Sequence, residues 1–330
     1  MELNFTLKQL QLKETFSIAY GSYDRREALL VELSYQGSKG YGECVAIDYY
    51  KIDLQSFMLK LKEIQSVFET HPVIYPKEFF QLLLSLNLHS FLRSALDCAY
   101  WDLFGKLENK SFIELNHIPS ENLVKSSITI SVAEIDEQIK KIENSEWDKF
   151  KVKCKGLDKN NVEKLLQLKR NVALDSNASF TDEDCIWLQE NDQVQNFSYL
   201  EQPRPIDHYK ILKKDGFANW MADEDCQNID SLEELLPHYK SINIKLMKCG
   251  GLTPALEMIQ KARELGYKIM IGCMTESTVG ISAGCVLTGL VDYADLDGAN
   301  LISNDYATGN CVENGKIILS GKPGLGIELK

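Results

Sequence analysis

A regular repeat of short β-rich runs fills the second two-thirds of the chain. Eight runs alternate with helical stretches from about residue 125 onwards, namely SSITISV, FKVKC, NVALD, FSYLE, NWMAD, INIKL, KIMIG and YADLD. From the second run on they end 22 to 27 residues apart, which leaves room for one strand, one helix and two loops. Such alternation is typical of a parallel sheet, and eight is the strand number of a (β/α)8 barrel. After the sixth run, Thr253 and Pro254 predict a helix start with the proline at the first helical position.

The first third of the chain follows another pattern. LNFTLKQLQL, ALLVEL and YGEC indicate an antiparallel meander, and residues 54–106 carry helical spacing, which together make an α+β module. We therefore predict an α/β protein with an α+β capping domain over 1–122 and a (β/α)8-type, modified TIM barrel over 123–308. Residues 309–330 are predicted to form a C-terminal segment that returns to the capping domain.

Composition and charge narrow the class of protein. With 44% apolar and 25% charged residues, the chain has the composition of an ordinary folded protein. A formal net charge of −12 argues against binding to nucleic acid or to anionic membranes. Nine cysteines without paired spacing indicate free thiols in a reducing compartment, and the N-terminus lacks a signal-peptide pattern. We expect a cytoplasmic protein, with homo-oligomerisation open.

Three carboxylates end three consecutive runs. Asp175 closes NVALD, Glu201 closes FSYLE and Asp223 closes the fifth run. Each of them alone could be a helix N-cap, where aspartate is common. All three, however, lie at the equivalent position of consecutive strand–helix units, which indicates a shared function. The C-terminal ends of barrel strands meet above the core, and oxygen ligands without His or Cys suit Mg²⁺ rather than zinc.

Lysines flank these acids at the same phase. Lys151 and Lys153 are two residues apart on the second run, so a strand directs both to one side, and Lys245 ends the sixth run across the barrel. An exposed edge strand is the ordinary explanation for one such pair. Next to a Mg²⁺ site, however, a lysine whose pKa is lowered by a neighbouring cation can remove a proton beside a carboxylate, while the metal stabilises the enediolate. Two lysines on opposite faces of that carbon permit epimerisation.

A pair of aspartates ends the eighth run. Asp295 and Asp297 form a DxD whose side chains lie on one side of a strand. The sequence DLDG is also a strong turn signal, so a plain turn is the alternative. The functional interpretation is a site for a cationic group of the substrate, such as an α-ammonium. A carboxylate-binding metal and an acidic pair together imply a ligand with both charges.

These motifs resemble one family over essentially the whole chain. GYGEC, RSALDCAYWDLFGK, KVK, LDSN, LEQP, MADED, INIKLMKCGG and GCMTES match the muconate-lactonizing subgroup of the enolase superfamily in order and spacing, and DLDG is similar to the dipeptide epimerases (L-Ala-D/L-Glu epimerase-like). The resemblance implies an isomerase with Lys153 and Lys245 as acid/base residues, Lys151 tuning the first, and Mg²⁺ on Asp175, Glu201 and Asp223. It further implies that the DxD holds the α-ammonium of a dipeptide, and that more residues surround substrate and metal: Thr275, Cys273, Tyr20, Gly21, Asn177, Glu224 and Glu276.

The loop FSIAYGSYDRR bears on specificity. In similar L-Ala-D/L-Glu epimerases an arginine of this loop meets the substrate's side-chain carboxylate, and alignment by eye puts Gly21 at that position. Arg25 and Arg26 lie near enough to replace it. The sequence therefore favours dipeptides with a neutral or hydrophobic second residue. The alternatives are an L-Ala-D/L-Glu epimerase proper, or an o-succinylbenzoate synthase, N-acylamino acid racemase or muconate cycloisomerase, whose amine-free substrates leave the DxD unexplained. A non-catalytic barrel would lack some of these ligands.

Overall fold

The computed structural model describes residues 1–330 and begins with an antiparallel sheet. Its three strands are adjacent in chain order: β1 (Glu2–Ile18), β2 (Gly21–Tyr35) and β3 (Ser38–Val45). The register between β1 and β2 shifts between Gln11 and Phe16, so the tip of this hairpin bends away from the regular ladder. This tip carries the loop that the sequence associates with specificity.

Four helices follow this sheet: α1 (Leu54–Thr70), α2 (Pro76–Ser85), α3 (Ser90–Leu107) and α4 (Phe112–Asn116). Helices α1 and α3 pack on the sheet, and α2 and α4 pack on α3. The α3 helix lies so close to β3 that a Cβ atom on Gly42 would be 2.0 Å from the Ala95 carbonyl oxygen. Only glycine permits this approach, which explains the glycines of GYGEC. Sheet and helices share one hydrophobic core that includes most of the buried face of α3. The meander and the helical region are thus confirmed.

Eight parallel strands follow in one sheet, and each corresponds to a predicted run: β4 (Ile128–Ile130), β5 (Lys149–Lys153), β6 (Asn171–Asp175), β7 (Leu200–Glu201), β8 (Trp220–Ala222), β9 (Ser241–Lys245), β10 (Lys268–Gly272) and β11 (Tyr293–Asp295). The strands lie side by side in chain order. A parallel bridge between Ser126 and Ala294 joins the two edges. The barrel architecture with an N-terminal α+β domain is therefore confirmed.

Seven helices lie between these strands: α5 (Ile135–Glu143), α6 (Lys159–Leu166), α7 (Asp182–Glu190), α8 (Leu232–Leu235), α9 (Leu246–Cys249), α10 (Leu252–Glu264) and α11 (Thr278–Cys285). The predicted start of α10 was wrong by two residues, because the helix begins at Leu252 and Pro254 is its third residue. Thr253 does not cap it. Its N–H and hydroxyl donate to Asp97 of α3 instead, at 2.9 and 2.7 Å.

The chain ends in four short strands, of which the first two contact α11: β12 (Ala307–Thr308), β13 (Cys311–Glu313), β14 (Lys316–Ile318) and β15 (Glu328–Leu329). The Leu325 N–H donates to the buried carboxylate of Asp102, at 2.7 Å. The same carboxylate accepts from the Tyr41 N–H and pairs with Lys106. Asp102 therefore ties this segment to α3. None of the helices is both long and apolar enough to cross a lipid bilayer.

Candidate active site

The register of the parallel sheet sets the functional side chains at one level. Lys153 pairs with Asp175, and Asp175 pairs with Glu201. On the other half of the barrel, Lys245 pairs with Gly272, which pairs with Asp295. Asp223 follows β8 by one residue. The C-terminal ends of the strands thus bring together the ionisable residues that the sequence singled out.

Lys153 and Lys245 lie on opposite sides of this ring. Four strand-to-strand steps separate β5 from β9 in either direction around the eight-stranded barrel. Both side chains line one pocket, and both are buried. Lys153 Nζ donates to Asp175 Oδ2, and Lys245 Nζ donates to Asp223 Oδ2 at 2.7 Å. Each lysine is therefore paired with the carboxylate nearest to it.

Lys151 has carboxylates, rather than Lys153, as its closest partners. Its ammonium group donates to Asp295 Oδ2 and lies 3.6 Å from Asp175 and 3.5 Å from Glu201. Burial works to lower the pKa of Lys151, but these three carboxylates outweigh it and hold the pKa well above its ordinary value. At Lys245, burial again works to lower the pKa, but Asp223 and Glu201 outweigh it and the pKa is raised. The neighbouring carboxylates therefore favour the ammonium form of both lysines.

The three carboxylates differ in their pairing. Burial favours a raised pKa at Asp175, yet Lys153 and Lys151 reverse this and lower it. At Asp223 the opposing lysines, Lys245 and Lys248, also lower the pKa. Burial instead raises the pKa of Glu201 to about 7, because the opposing effects of Lys151 and Lys245 are offset by repulsion from Asp175 and Asp223. Glu201 Oε2 has no hydrogen-bond donor.

The donor set suits a hard cation such as Mg²⁺. Buried oxygen atoms without a hydrogen-bond donor surround the carboxylates, namely Glu201 Oε2, Asn177 Oδ1 and Glu224 Oε2. An unpaired buried oxygen is costly, and coordination to a cation would offset that cost. No three His, Cys, Asp or Glu side chains already converge as a ready metal site. Lys153 and Lys245 donate hydrogen bonds to carboxylate oxygens of this site, so a metal that binds those oxygens would have to displace the two ammonium groups.

Asn177 and Glu224 both line the pocket beside the carboxylates. The Asn177 N–H donates to Asp175 Oδ1 at 3.0 Å, and its backbone adopts a positive φ of 42°, which asparagine tolerates. Burial, followed by repulsion from Asp223, raises the pKa of Glu224 to about 8.

Asp295 and Asp297 both reach the pocket. Asp295 accepts from the Ser127 hydroxyl at 2.7 Å as well as from Lys151. Asp297 lies beyond the end of β11 and accepts from the Thr129 N–H at 2.6 Å. Burial and then repulsion from Asp295 raise the pKa of Asp297 to about 6. Lys151 is the one lysine that pairs with this acidic pair, so a second cation would be favourable beside Asp297.

The capping domain closes the pocket with aromatic residues. Tyr20 and Tyr50 line it, and the Tyr20 ring stacks on Tyr49 with centroids 5.2 Å apart. The expectation for Gly21 needs correction, because the hairpin turn directs Tyr20 into the pocket wall and Gly21 does not line it. The pocket and its open mouth together span about 670 Å³ of space not filled by protein atoms.

Arg26 also reaches this wall from β2. The residue as a whole is 7% exposed, and its guanidinium donates to the Ala46 carbonyl at 3.0 Å and lies 4.3 Å from the centroid of the Tyr23 ring. Its Nε has no acceptor. Burial lowers its pKa. Of the two arginines predicted near the specificity loop, Arg26 is the one that lines the pocket.

The loop after β10 forms another wall. Cys273 and Thr275 line the pocket, together with Met274. Glu276 lies behind them and accepts from the Met274 N–H at 2.6 Å. Burial raises the pKa of Glu276 to about 8, and its carboxyl supports the loop through this hydrogen bond.

The sequence motifs did not single out Lys248, although it is buried at this site. Its buried ammonium donates to both the Asp223 carboxylate, at 2.6 Å, and the Asp223 carbonyl, and to the Asn243 carbonyl at 3.1 Å. These three acceptors use all its protons, so Lys248 fixes Asp223 and does not turn to the pocket. The structural reason is the one-turn helix α9, which brings Lys248, three residues after Lys245, back to the end of β9.

Comparison with known proteins agrees with this geometry. Residues 134–330 match the family model described as enolase C-terminal domain-like. An L-Ala-D/L-amino acid epimerase from a Maribacter species is 35% identical over 100% of this chain and 99% of its own length. The chain belongs to the enolase superfamily. The resemblance predicted from the motifs is thereby confirmed.

Two further relatives extend the comparison. An L-Ala-D/L-amino acid epimerase from Flavobacterium johnsoniae is 34% identical over the full length of both chains. A dipeptide epimerase from Methylococcus capsulatus, solved with Mg and L-Arg-D-Lys, shares the fold at a TM-score of 0.87 and 23% identity, covering 99% of this chain and 98% of its own. These enolase-superfamily relatives are all isomerases, as the predicted enzyme class required, and the last contains the predicted metal.

Proposed function

We propose that this protein is a Mg²⁺-dependent dipeptide epimerase that inverts the α-carbon of the second residue. The observation that carries the proposal is the position of Lys153 and Lys245 on opposite strands, facing one pocket. A carbon between them can lose its proton to one lysine and receive a proton from the other on its opposite face. Loss and return on opposite faces invert the carbon.

Removal of this proton requires help at the neighbouring carboxylate, because a second negative charge develops there. Asp175, Glu201 and Asp223 would hold Mg²⁺, which supplies the positive charge that neutralises it when bound. The chain contributes the rest. The acids and lysines are buried below the aromatic residues of the capping domain, which form the roof of the pocket. This roof keeps water from the reacting carbon.

The acidic pair supports a substrate with a free amine. A dipeptide carries its α-ammonium several bonds from the reacting carbon, and Asp297 offers that ammonium a carboxylate that no lysine pairs with. An o-succinylbenzoate synthase or a racemase of N-acylated amino acids could share the lysines and the metal. Its substrate, however, would leave the buried carboxylate of Asp297 without a cationic partner, since Lys151 pairs with Asp295 alone.

Replacing Asp297 by asparagine tests this assignment with almost no change in shape. Losing a charge-assisted hydrogen bond should lower kcat/KM for dipeptides about 10- to 100-fold. The same variant should treat an N-acetylated dipeptide like the wild-type enzyme, because that substrate has no ammonium group. Steady-state kinetics with both substrates measure the difference. An equal loss for both would contradict ammonium binding at Asp297.

The second residue of the dipeptide would face the capping domain. Phe16, Ile18, Tyr20 and Tyr50 give this wall a mostly apolar surface, which supports a neutral or hydrophobic side chain. The relatives named L-Ala-D/L-amino acid epimerases support a second residue that is not restricted to glutamate. An acidic second residue is the second candidate, and the buried Arg26 with its unpaired Nε favours it.

A library of L-Ala-L-Xaa dipeptides in deuterated buffer with Mg²⁺ decides between these candidates. We expect one deuterium at the α-carbon of the second residue, fastest with neutral side chains. An Arg26→Met variant should leave those rates within about threefold, since it retains the packing of the arginine stem. Fastest exchange with L-Ala-L-Glu, lost in Arg26→Met, would favour the acidic candidate. No exchange with any dipeptide, despite bound Mg²⁺, would refute the proposed function.

A further inference from the structure

One carboxylate of the capping domain is buried against the barrel and held by neutral donors. Glu43 on β3 is 3% exposed. It accepts from the Ser277 N–H at 2.9 Å, from the Ser277 hydroxyl at 2.6 Å and from the Tyr306 hydroxyl. Burying a carboxylate without a paired cation is costly, so a residue that merely fills space would serve packing better here.

The barrel side of this contact leads directly to the pocket. Ser277 is the N-cap of α11, and its hydroxyl oxygen accepts from the Val279 N–H at 3.1 Å. The residues just before it, from Cys273 to Thr275, form the pocket wall after β10. Tyr306 packs against both hydrophobic cores of the molecule. Glu43 thus holds Ser277, at the end of one pocket wall, and Tyr306, at the boundary between the two hydrophobic cores.

The capping side leads to the pocket as well. The chain leaves β3 after Val45 and supplies Ile47 and Tyr50 to the roof within a few residues. One buried carboxylate therefore connects the strand that carries the roof with the loop that carries the wall. A carboxylate suits this place because both of its oxygens accept hydrogen bonds. A glutamine would turn its NH2 group towards a hydroxyl of Ser277 or Tyr306 that now donates.

We propose that Glu43, Ser277 and Tyr306 form a clamp that fixes the roof against the wall after β10, and that Glu43 is a positioning residue for substrate binding. The identity of the bound substrate rests on the proposed function, but the clamp itself does not. The clamp touches neither the lysines nor the proposed metal ligands. Its loss should therefore affect binding of the substrate more than the proton transfer.

Glu43→Gln is the first variant to measure. Its KM for the best dipeptide should rise about tenfold, as expected when hydrogen bonds to a charged group are lost, while kcat stays within about threefold. Hydrogen exchange followed by mass spectrometry should become faster in residues 273–277 and 46–50. Tyr306→Phe removes one of the three donors and should show a smaller change of both kinds. Mg²⁺ affinity by calorimetry should stay at the wild-type value.

Asp102→Asn is the matched control, because Asp102 is another buried carboxylate of the capping domain that ties distant segments together. It should lower the melting temperature without changing KM or exchange in residues 273–277. Unchanged exchange or unchanged KM in a folded Glu43→Gln protein would overturn the clamp, and so would an equal effect of Asp102→Asn. If the wild-type protein turned over no dipeptide, the proposed function would fail, while hydrogen exchange would still decide the clamp.

Discussion

Replacing Lys153 or Lys245 by alanine is expected to abolish epimerisation while each variant still exchanges the α-proton of one epimer. Each lysine faces only one side of the bound carbon, because β5 and β9 lie opposite each other in the barrel. A variant with one remaining lysine can remove and return a proton on that side alone. General acid/base groups contribute up to about 10⁴-fold in rate, so inversion should fall by about that factor.

The two epimers of one dipeptide in deuterated buffer provide the measurement. Lys153→Ala should incorporate deuterium into one epimer without inverting it, and Lys245→Ala should do so with the other. Lys155→Ala is the control, because Lys155 follows the same strand but is exposed. Two variants that favour the same epimer would contradict the assignment of one lysine to each face, and so would full inversion by either.

The architecture could be predicted because its signals are periodic and local. Each barrel strand had to repeat the same order of buried run and polar end, and this order set Lys153, Asp175 and Glu201 at one level before any contact was known. The glycines of GYGEC likewise have a local consequence, since close packing on α3 excludes a side chain. Periodicity therefore predicted the strands and the level of the ionisable residues.

The missed features depend on contacts between distant segments or on a local turn. Glu43 and Ser277 are 234 residues apart, and nothing near either one indicates the other. Gly21 does not line the pocket although its predicted neighbour Tyr20 does, because of how one hairpin turn closes. Lys248 reaches Asp223 because a single helical turn follows β9. Motif spacing carries no information about such orientations.

Lysine and metal are expected to compete for the same carboxylates, so removing Lys153 or Lys245 should not weaken Mg²⁺ binding. Lys153 donates to Asp175 Oδ2 and Lys245 donates to Asp223 Oδ2, and these oxygens belong to two of the three proposed ligands. An alanine at either lysine frees its oxygen. The inactive variants should therefore bind Mg²⁺ as tightly as the wild-type protein, or more tightly. Asp223→Asn should bind it at least about 100-fold more weakly, because changes even one step removed from a metal cost 10- to 100-fold.

Isothermal calorimetry with Mg²⁺ alone separates these expectations from any effect on turnover. In parallel, chelation of Mg²⁺ should lower the rate of epimerisation by at least about 10³-fold, because the bound metal would supply several kcal/mol of charge stabilisation. Readdition should restore the activity. Weaker Mg²⁺ binding in both lysine variants would mean that their ammonium groups do not compete with the metal. Wild-type affinity in Asp223→Asn would remove Asp223 from the proposed ligands, and Lys245 and Lys248 would then be the partners of this carboxylate in the working enzyme.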